Sequence, residues 1–304
     1  MQKRISKGEA VFIVVNYIFL FLCVLITLLP FATIIAKSFS DSAAIESGKV
    51  FLWPVDFNTQ AYKNLISDGQ LLRSMKNTVI ITVVGTFLNM VFTTTAAYAL
   101  SKKRLLGGKT IMKLMTFTMI FSGGTIPSFI VVKSLGLMNK YGALWFPGLI
   151  TVYNLIVMKT FFEQMPESLE EAARIDGAGD ILIFFRIVLP LSLATIATIT
   201  LFYAVAWWNE YFNGMIYISS SAKMPLQVKL RQMIATVGEA QLTETDGDSP
   251  DKKLAKDAVQ AAAMVISTIP MLCIYPFLQK YFVKGVMVGA VKGWWNAKLS
   301  LLIN

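Results

Sequence analysis

The chain has 304 residues, of which 55% are hydrophobic and 15% are charged, and its formal net charge is +10. Its apolar residues form runs of about twenty or more, the length at which a helix crosses a bilayer. The sequence has no histidine and two cysteines, so it lacks the usual proton shuttle, a zinc-ligand cluster and a disulfide framework. This composition predicts an integral membrane protein without enzyme chemistry or a metal site. The basic residues are spread through the loops between apolar runs, which favours contact with lipid over nucleic-acid binding.

The first transmembrane helix is predicted over residues 11–36, after a basic N-terminal stretch at 1–10. This apolar run is longer than the apolar core of a signal peptide and lacks a clear small-residue cleavage site, so we expect it to be retained. Basic residues before a span favour the cytosolic side, which places the N-terminus there. Residues 37–76 then form a mixed segment outside the cell.

The second span is predicted over residues 77–100. Asn89 and the threonines at 93–95 are expected to form hydrogen bonds with neighbouring helices. A short loop at 101–109 follows, and its cluster of lysines and arginine places it in the cytosol. The topology therefore has two independent cytosolic markers.

The third and fourth spans are predicted over residues 110–132 and 142–162, joined by an outer turn at 133–141. The small residues and the proline of segment 122–127 let helix backbones approach closely and predict a kink in the third span. Counted from a cytosolic N-terminus, the fourth span ends in the cytosol. The polar loop after it, residues 163–190, is therefore cytosolic.

This polar loop is predicted to contain a short helix followed by an amphipathic one. Pro166 suits the first helical position, where its missing N–H needs no partner, and the glutamates after it favour the positive end of the helix dipole. Gly177 is expected to end the helix through a left-handed turn. Asp180 can cap the second helix. The residues spaced for an i,i+4 ion pair along the first helix are Glu170 and Arg174.

The same loop carries three short motifs at fixed spacing: Glu171-Ala172-Ala173, Asp176-Gly177-Ala178 and Ile187-x-Leu189-Pro190. This pattern resembles the EAA loop of carbohydrate-type permeases of binding-protein-dependent ABC importers. The resemblance implies an all-α membrane protein with the ABC type I importer permease fold, six transmembrane helices and a cytosolic coupling helix that docks in a groove of an ATPase. The ATPase-coupling residues that it implies are Glu170, Glu171, Ala172, Ala173, Asp176 and Gly177. We expect Glu171 to make a charge-assisted contact with a basic residue of the ATPase.

The resemblance also implies the partners of this chain: a homologous second permease in a heterodimer, two copies of an ATPase, an extracellular solute-binding protein and an oligosaccharide substrate. The chain has no Gly-x-x-x-x-Gly-Lys-Ser/Thr phosphate loop, so ATP and Mg are expected on the ATPase and no cofactor on this chain. The protein is expected in the bacterial cytoplasmic membrane, with both termini cytosolic. Segments 121–127 and 135–137 are similar to a subgroup of these permeases for complex oligosaccharides, including uronate-containing ones.

A fifth span is predicted over residues 191–212, and it ends in an aromatic cluster with an amide and a carboxylate. The cluster is Trp207, Trp208, Asn209, Glu210 and Tyr211. Aromatic rings at the end of a span are typical of the membrane interface, but rings beside polar groups also suit a sugar. Both interpretations are open for the tryptophans. A carboxylate at this depth needs a water-filled or protein-lined setting, which favours the substrate pathway for Asn209 and Glu210.

The longest outer loop is predicted at residues 213–257, and the sixth span follows at 258–278. An amphipathic stretch at 225–234 is expected to project toward an external partner. The polar stretch around 246–250 lacks the ligand spacing of a calcium loop, so we expect a linker there.

The resemblance covers nearly the whole chain, with the core permease domain and its five spans at 77–293 and a C-terminal tail at 294–304. Two other classes of transporter remain open. A permease for a non-sugar solute, such as a peptide, would share the EAA loop, although the Asp-Gly-Ala and Leu-Pro parts favour sugar. A secondary transporter would need coupling-ion ligands at mid-membrane and often internal repeats, and neither is evident in the sequence.

Overall fold

The computed structural model describes residues 7–242 and 257–273, and the regular structure in that part is helical, without strands. The helices are α1 (Lys7–Ser38), α2 (Ser42–Glu46), α3 (Gln60–Asp68), α4 (Gln70–Ser101), α5 (Gly108–Ile120), α6 (Thr125–Ser134), α7 (Gly142–Trp145), α8 (Val152–Glu163), α9 (Glu167–Ile175), α10 (Asp180–Leu191, with a π-helical turn at Phe184–Val188), α11 (Leu193–Trp208), α12 (Phe212–Tyr217), α13 (Leu226–Leu242) and α14 (Asp257–Cys273). The linker predicted around 246–250, the end of the predicted sixth span and the tail 294–304 lie outside the described residues.

Two helices of the described part, α1 and α4, are long and apolar enough to cross a membrane. Each has 32 residues. That length corresponds to about 48 Å of helix, compared with about 30 Å of hydrocarbon in a bilayer. Two bent pairs, α5 with α6 and α10 with α11, bring the number to four if each pair is counted as one broken span. The chain is thus a helical membrane protein, and the number of six spans stays a prediction.

The predicted third span consists of two helices, because the chain turns by 114° between α5 and α6. This is a break rather than the kink that the sequence predicted. Gly124 lies at the turn with φ of +89°, in the left-handed region that favours glycine. Pro127 occupies the first turn of α6, where its missing N–H is tolerated. The residues that predicted a kink therefore produce a larger change of direction.

The predicted fourth span is also interrupted, because α7 and α8 flank a non-helical segment at 146–151. Pro147 followed by Gly148 accounts for the interruption. Proline clashes with a helix that continues through it, and glycine weakens a helix. The 12 residues of α8 span about 18 Å, which is too short to cross the hydrocarbon alone.

Side chains of α4 and α11 pair the backbone groups that this interruption leaves without helical partners. Asn89 Nδ2 donates to two carbonyl oxygens of segment 146–151, at 2.5 and 2.9 Å. Tyr203 Oη accepts the N–H of Thr151 at 3.1 Å and lies 2.7 Å from Thr93 Oγ1. Because lipid offers no hydrogen-bonding partner, such pairing is what permits irregular backbone between membrane helices. The predicted interhelical bonds of Asn89 and Thr93 are confirmed. Thr94 and Thr95 instead donate hydrogen bonds to carbonyl oxygens of α4 itself.

The chain divides into two compact units. One contains α1 to α3, where Phe39 stacks on Phe57 and Tyr62 with ring centroids 5.5 and 4.9 Å apart. The other contains α4 from Arg73 onward and α5 to α12, and it encloses a large apolar cluster. The cluster's least exposed large side chains include Leu155, Met158, Ile183, Ile199 and Ile218. The helix α9 belongs to this second unit.

Candidate functional site

The start of α9 is set by a proline and two glutamates. Pro166 is the residue before the first turn, with ψ of 122°, and not the first helical residue that the sequence predicted. The extended ψ is typical of a residue that caps a helix from outside. Glu167 and Glu170 follow in the first turn, where the positive end of the helix dipole stabilises their charge.

The end of α9 is a left-handed turn, as predicted. Gly177 has φ of +85°. The Ala178 N–H donates to the Ala173 carbonyl oxygen at 2.9 Å, which satisfies a carbonyl of the last helical turn. The predicted cap at Asp180 is wrong, because Gly179 occupies the capping position and Asp180 is the first residue of α10. Its carboxylate is used in ion pairs instead.

Three consecutive cations lie against α9 and the start of α10. We call Lys102, Lys103 and Arg104 the basic segment. Each of them pairs with a different acid: Lys102 with Glu170, Lys103 Nζ with Glu167 Oε1 at 2.7 Å, and Arg104 Nη2 with Asp180 Oδ2 at 2.5 Å. Arg174 Nη2 joins them, at 3.5 Å from Glu170 Oε2 and 3.2 Å from Asp180 Oδ1. The predicted i,i+4 pair of Glu170 and Arg174 is thus part of a larger network.

The pairs of this network differ in their exposure to solvent. The side chains of Lys102 and Glu170 are 18% and 13% exposed, whereas those of Lys103 and Glu167 are 88% and 71% exposed. Lys102 Nζ also lies 4.2 Å from the ring centroid of Tyr98, a favourable position for a cation. Exposed pairs contribute little to stability because water and salt screen them, whereas a shielded pair is costly to break on one side. Lys102 and Glu170 therefore form the centre of the network.

The exposed pairs also favour the charged forms of their members. The hydrogen bond from Lys103 lowers the pKa of the Glu167 carboxyl below its ordinary value and raises the pKa of Lys103. The hydrogen bond to Asp180 raises the pKa of Arg104. Each shift has the sign expected when a hydrogen bond stabilises the ionised group. These three groups are therefore ionised at neutral pH.

The helix α9 also presents some of its predicted coupling residues outward. Glu171, Ala172 and Asp176 are exposed, and within the described residues neither of the two acids has an ion pair. Two large apolar side chains share this exposure: Leu169 at 42% and Ile175 at 86%. The outward surface is therefore acidic and apolar, with small side chains between.

The predicted coupling residues thus divide into two groups. Glu170 and Ala173 face the chain's own helices, since Glu170 binds Lys102 and Ala173 packs against the apolar cluster. The outward group is Glu171, Ala172 and Asp176, while Gly177 forms the turn. The role of the basic segment was missed in the sequence, where its charges indicated only a cytosolic loop. The sequence signal for these ion pairs was the presence of three adjacent cations on the same predicted side of the membrane as several closely spaced acids.

The aromatic cluster at the end of α11 does not converge on one point. Trp207 and Trp208 are 8% and 5% exposed, and Trp207 Nε1 donates to Asn89 Oδ1 at 2.5 Å. A Cβ placed on Gly85 would lie 2.7 Å from the Trp207 ring, so α4 and this indole are in close contact. Trp207 is therefore buried inside the chain, where it joins α11 to α4.

The polar members of the cluster have partners nearby in sequence. Asn209 is exposed, and its Nδ2 donates to the Val205 carbonyl oxygen at 2.9 Å. Glu210 Oε1 accepts the N–H of Asn213 at 2.9 Å in the first turn of α12. Tyr211 Oη lies 3.1 Å from the sulfur of Met215. A role for these residues and the tryptophans in a substrate pathway stays a prediction.

Residues 94–288 match the family described as binding-protein-dependent transport system inner membrane component. The matched residues are more than half of the chain and contain both the basic segment and α9. The chain belongs to this family. Its members are transport permeases rather than catalytic enzymes, so the resemblance carried by the EAA loop is confirmed. The chain is therefore a permease subunit.

Relatives of the permease match it over almost its full length. Protein LplC of Bacillus subtilis is 46% identical over 289 residues, covering 95% of the permease and 97% of the relative. The polygalacturonan/rhamnogalacturonan transport system permease protein YtcP of Bacillus subtilis is 46% identical over 279 residues, covering 91% and 96%. The trehalose/maltose transport system permease protein MalG of Thermococcus litoralis is 30% identical over 282 residues, covering 90% and 94%.

A solved structure shows the same fold. It is the crystal structure of a bacterial ABC transporter involved in the import of the acidic polysaccharide alginate. One of its chains matches the permease with a TM-score of 0.82 and 35% identity, covering 92% of the permease and 100% of that chain. The fold is therefore that of an ABC importer permease, as the sequence predicted.

Proposed function

We propose that the permease forms the membrane pathway of an ATP-driven importer for acidic oligosaccharides of the galacturonate type. The observation that carries this proposal is the 46% identity, over 91% of the chain, to a polygalacturonan/rhamnogalacturonan permease. The alginate-importing transporter, 35% identical, also handles an acidic polysaccharide. Relatives named for neutral sugars are less similar, at 30% for trehalose/maltose and 29% for melibiose/raffinose/stachyose. This order of similarity favours an acidic substrate.

In this proposal the permease is one subunit of a larger complex. It pairs with a homologous second permease, two copies of an ATPase that bind ATP and Mg, and an extracellular solute-binding protein that delivers the sugar. The chain lies in the bacterial cytoplasmic membrane with six spans and both termini in the cytosol. The ion pairs between the basic segment and α9 support this topology, since they require the loops after the second and fourth spans to lie on one side of the membrane.

The helix α9 is the coupling helix in this proposal. Its outward surface offers Glu171 and Asp176 to basic residues of the ATPase and Ile175 to an apolar depression, and Ala172 leaves room for close approach. Charge-assisted hydrogen bonds at this contact would fix the register of the two proteins. ATP then shifts the complex between inward-open and outward-open states by binding one of them more tightly.

The proposal is tested by ATP hydrolysis in proteoliposomes that contain the permease, its homologous partner and the ATPase. The solute-binding protein is added after loading with trigalacturonate or with maltotriose, a neutral sugar of equal length. We expect trigalacturonate to stimulate hydrolysis about fivefold or more, the lower range of typical coupling between sites. Maltotriose is expected to give no stimulation. Stimulation by maltotriose alone would contradict the acidic substrate, and a lack of response to either sugar by an active ATPase would contradict an importer of oligosaccharides.

A further inference from the structure

The basic segment connects α9 to a different membrane helix from the one that precedes α9 in the chain. Lys102 follows directly on α4, which ends at Ser101. Its partner Glu170 lies 68 positions further along the chain. The helix α9 is therefore attached to the membrane helices in two ways: covalently, to α8 through residues 164–166 and to α10 through residues 176–179, and through ion pairs to the end of α4.

These two attachments differ in their continuity. The helix α8 begins after the interruption at 146–151, where backbone dihedral angles are not fixed by helical hydrogen bonds. The helix α4 is continuous over 32 residues, and its Asn89 binds carbonyls of that same interruption. A displacement of α9 that acted through α8 could be absorbed at the interruption, and one that acted through α10 could be absorbed at the 82° bend between α10 and α11. A displacement that also acts through the basic segment reaches the far side of the membrane along α4, which is unbroken.

The chemistry at the contact suits transmission of movement. The pair of Lys102 and Glu170 is largely shielded from solvent, and Lys102 is also held over the Tyr98 ring of α4. Arg174 reaches Glu170 from within α9, and Arg104 reaches Asp180 in α10. Several charges in one network hold a geometry better than an isolated surface pair does.

We propose that Lys102 is a positioning residue that ties the coupling helix to α4, so that movement of α9 is transmitted to α4 as well as to α8. Lys103 and Arg104 support it through their own pairs with Glu167 and Asp180. This role rests on the proposed function, because it requires α9 to be the helix that the ATPase moves. It assigns Glu170 to the connection inside the permease and leaves the outward acids to the ATPase.

The test compares variants of the permease in the complete reconstituted complex. Lys102→Met removes the charge and keeps the length of the side chain, Glu170→Gln breaks the same pair from the other side, and Lys102→Arg preserves it. The matched control is Lys109→Met, a lysine in the first turn of α5 that has no ion pair within the described residues. For each complex, three quantities are measured: ATPase bound per permease, ATP hydrolysis, and trigalacturonate transported per ATP.

We expect Lys102→Met and Glu170→Gln each to lower the sugar transported per ATP by about tenfold, within the usual range of coupling between sites. The double variant is expected to lose no more than either single variant, since the two residues act as one pair. Bound ATPase is expected to stay unchanged in all of them. Lys102→Arg and Lys109→Met are expected to transport normally.

The outcomes separate this inference from the proposed function. A wild-type complex that does not respond to the loaded binding protein would contradict the proposed function itself. A responsive wild-type complex with normal transport per ATP in Lys102→Met or Glu170→Gln would overturn the role of Lys102. Loss of bound ATPase in both variants would also overturn it, because the pair would then serve docking rather than transmission.

Discussion

Replacing Asn89 with alanine is expected to destabilise the membrane part of the permease. The side chain is 1% exposed, and its amide makes three hydrogen bonds: to the carbonyls of Gly148 and Leu149 and from the indole N–H of Trp207. Alanine leaves these two partly buried carbonyls and the buried indole N–H without this amide. Hydrogen bonds between membrane helices contribute about 0.6 to 1.5 kcal/mol each, so three bonds predict a loss of about 2 to 4.5 kcal/mol in the free energy of unfolding.

The loss is measured by titrating the full-length chain in mixed micelles with sodium dodecyl sulfate and following helix content by circular dichroism. Asn209→Ala is the matched control, because Asn209 is exposed and its amide donates to the Val205 carbonyl of its own helix. We expect this control to change the free energy of unfolding by less than about 0.5 kcal/mol. Equal values for the two variants would refute the idea that Asn89 holds the non-helical segment at 146–151 in place.

Three further predictions address other contacts. Gly85→Ala places a Cβ 2.7 Å from the Trp207 ring and is expected to cost about 1 to 3 kcal/mol in the same titration, whereas a change of less than about 0.5 kcal/mol would show that the ring can move aside. Glu171→Lys is expected to abolish stimulation of ATP hydrolysis by loaded binding protein while the two permeases still copurify; normal stimulation would contradict the role of Glu171. The pKa of Glu167 is lowered by its hydrogen bond from Lys103, so the pair's stabilisation of α9 is present above the ordinary glutamate pKa and is lost as pH falls through the folded pKa. In hydrogen exchange corrected for intrinsic rates, Lys103→Met is expected to weaken this loss of protection, because the pair that lowers the pKa of Glu167 is absent. An unchanged profile would contradict the pairing.

The form of α9 could be predicted because its determinants are local. Acidic residues in the first turn and Gly177 at the end act within a few positions of each other, so sequence spacing is enough to place them. The errors were also local and small. Pro166 lies one position before the first helical residue, and Asp180 lies one position after the cap.

The partners of α9 could not be predicted in the same way. Lys102 and Glu170 are 68 positions apart, and nothing in the periodicity of either segment indicates which cation faces which acid. The orientation of Trp207 is likewise undetermined by sequence, because α11 is apolar on all sides and has no polar face to fix its rotation. The interruption within the predicted fourth span had a signal in Pro147 and Gly148, which the prediction did not use.

Uptake of labelled trigalacturonate tests most directly whether α9 couples ATP hydrolysis to import. It is measured in proteoliposomes that contain the permease, its homologous partner and the ATPase. ATP is enclosed with the ATPase domains inside, and loaded binding protein is added outside. We expect the sugar to accumulate inside against its gradient, and this accumulation is expected to require ATP and the binding protein and to be absent with Glu171→Lys. Accumulation without ATP, or equal uptake by the Glu171→Lys complex, would contradict the central claim that α9 couples ATP hydrolysis to import.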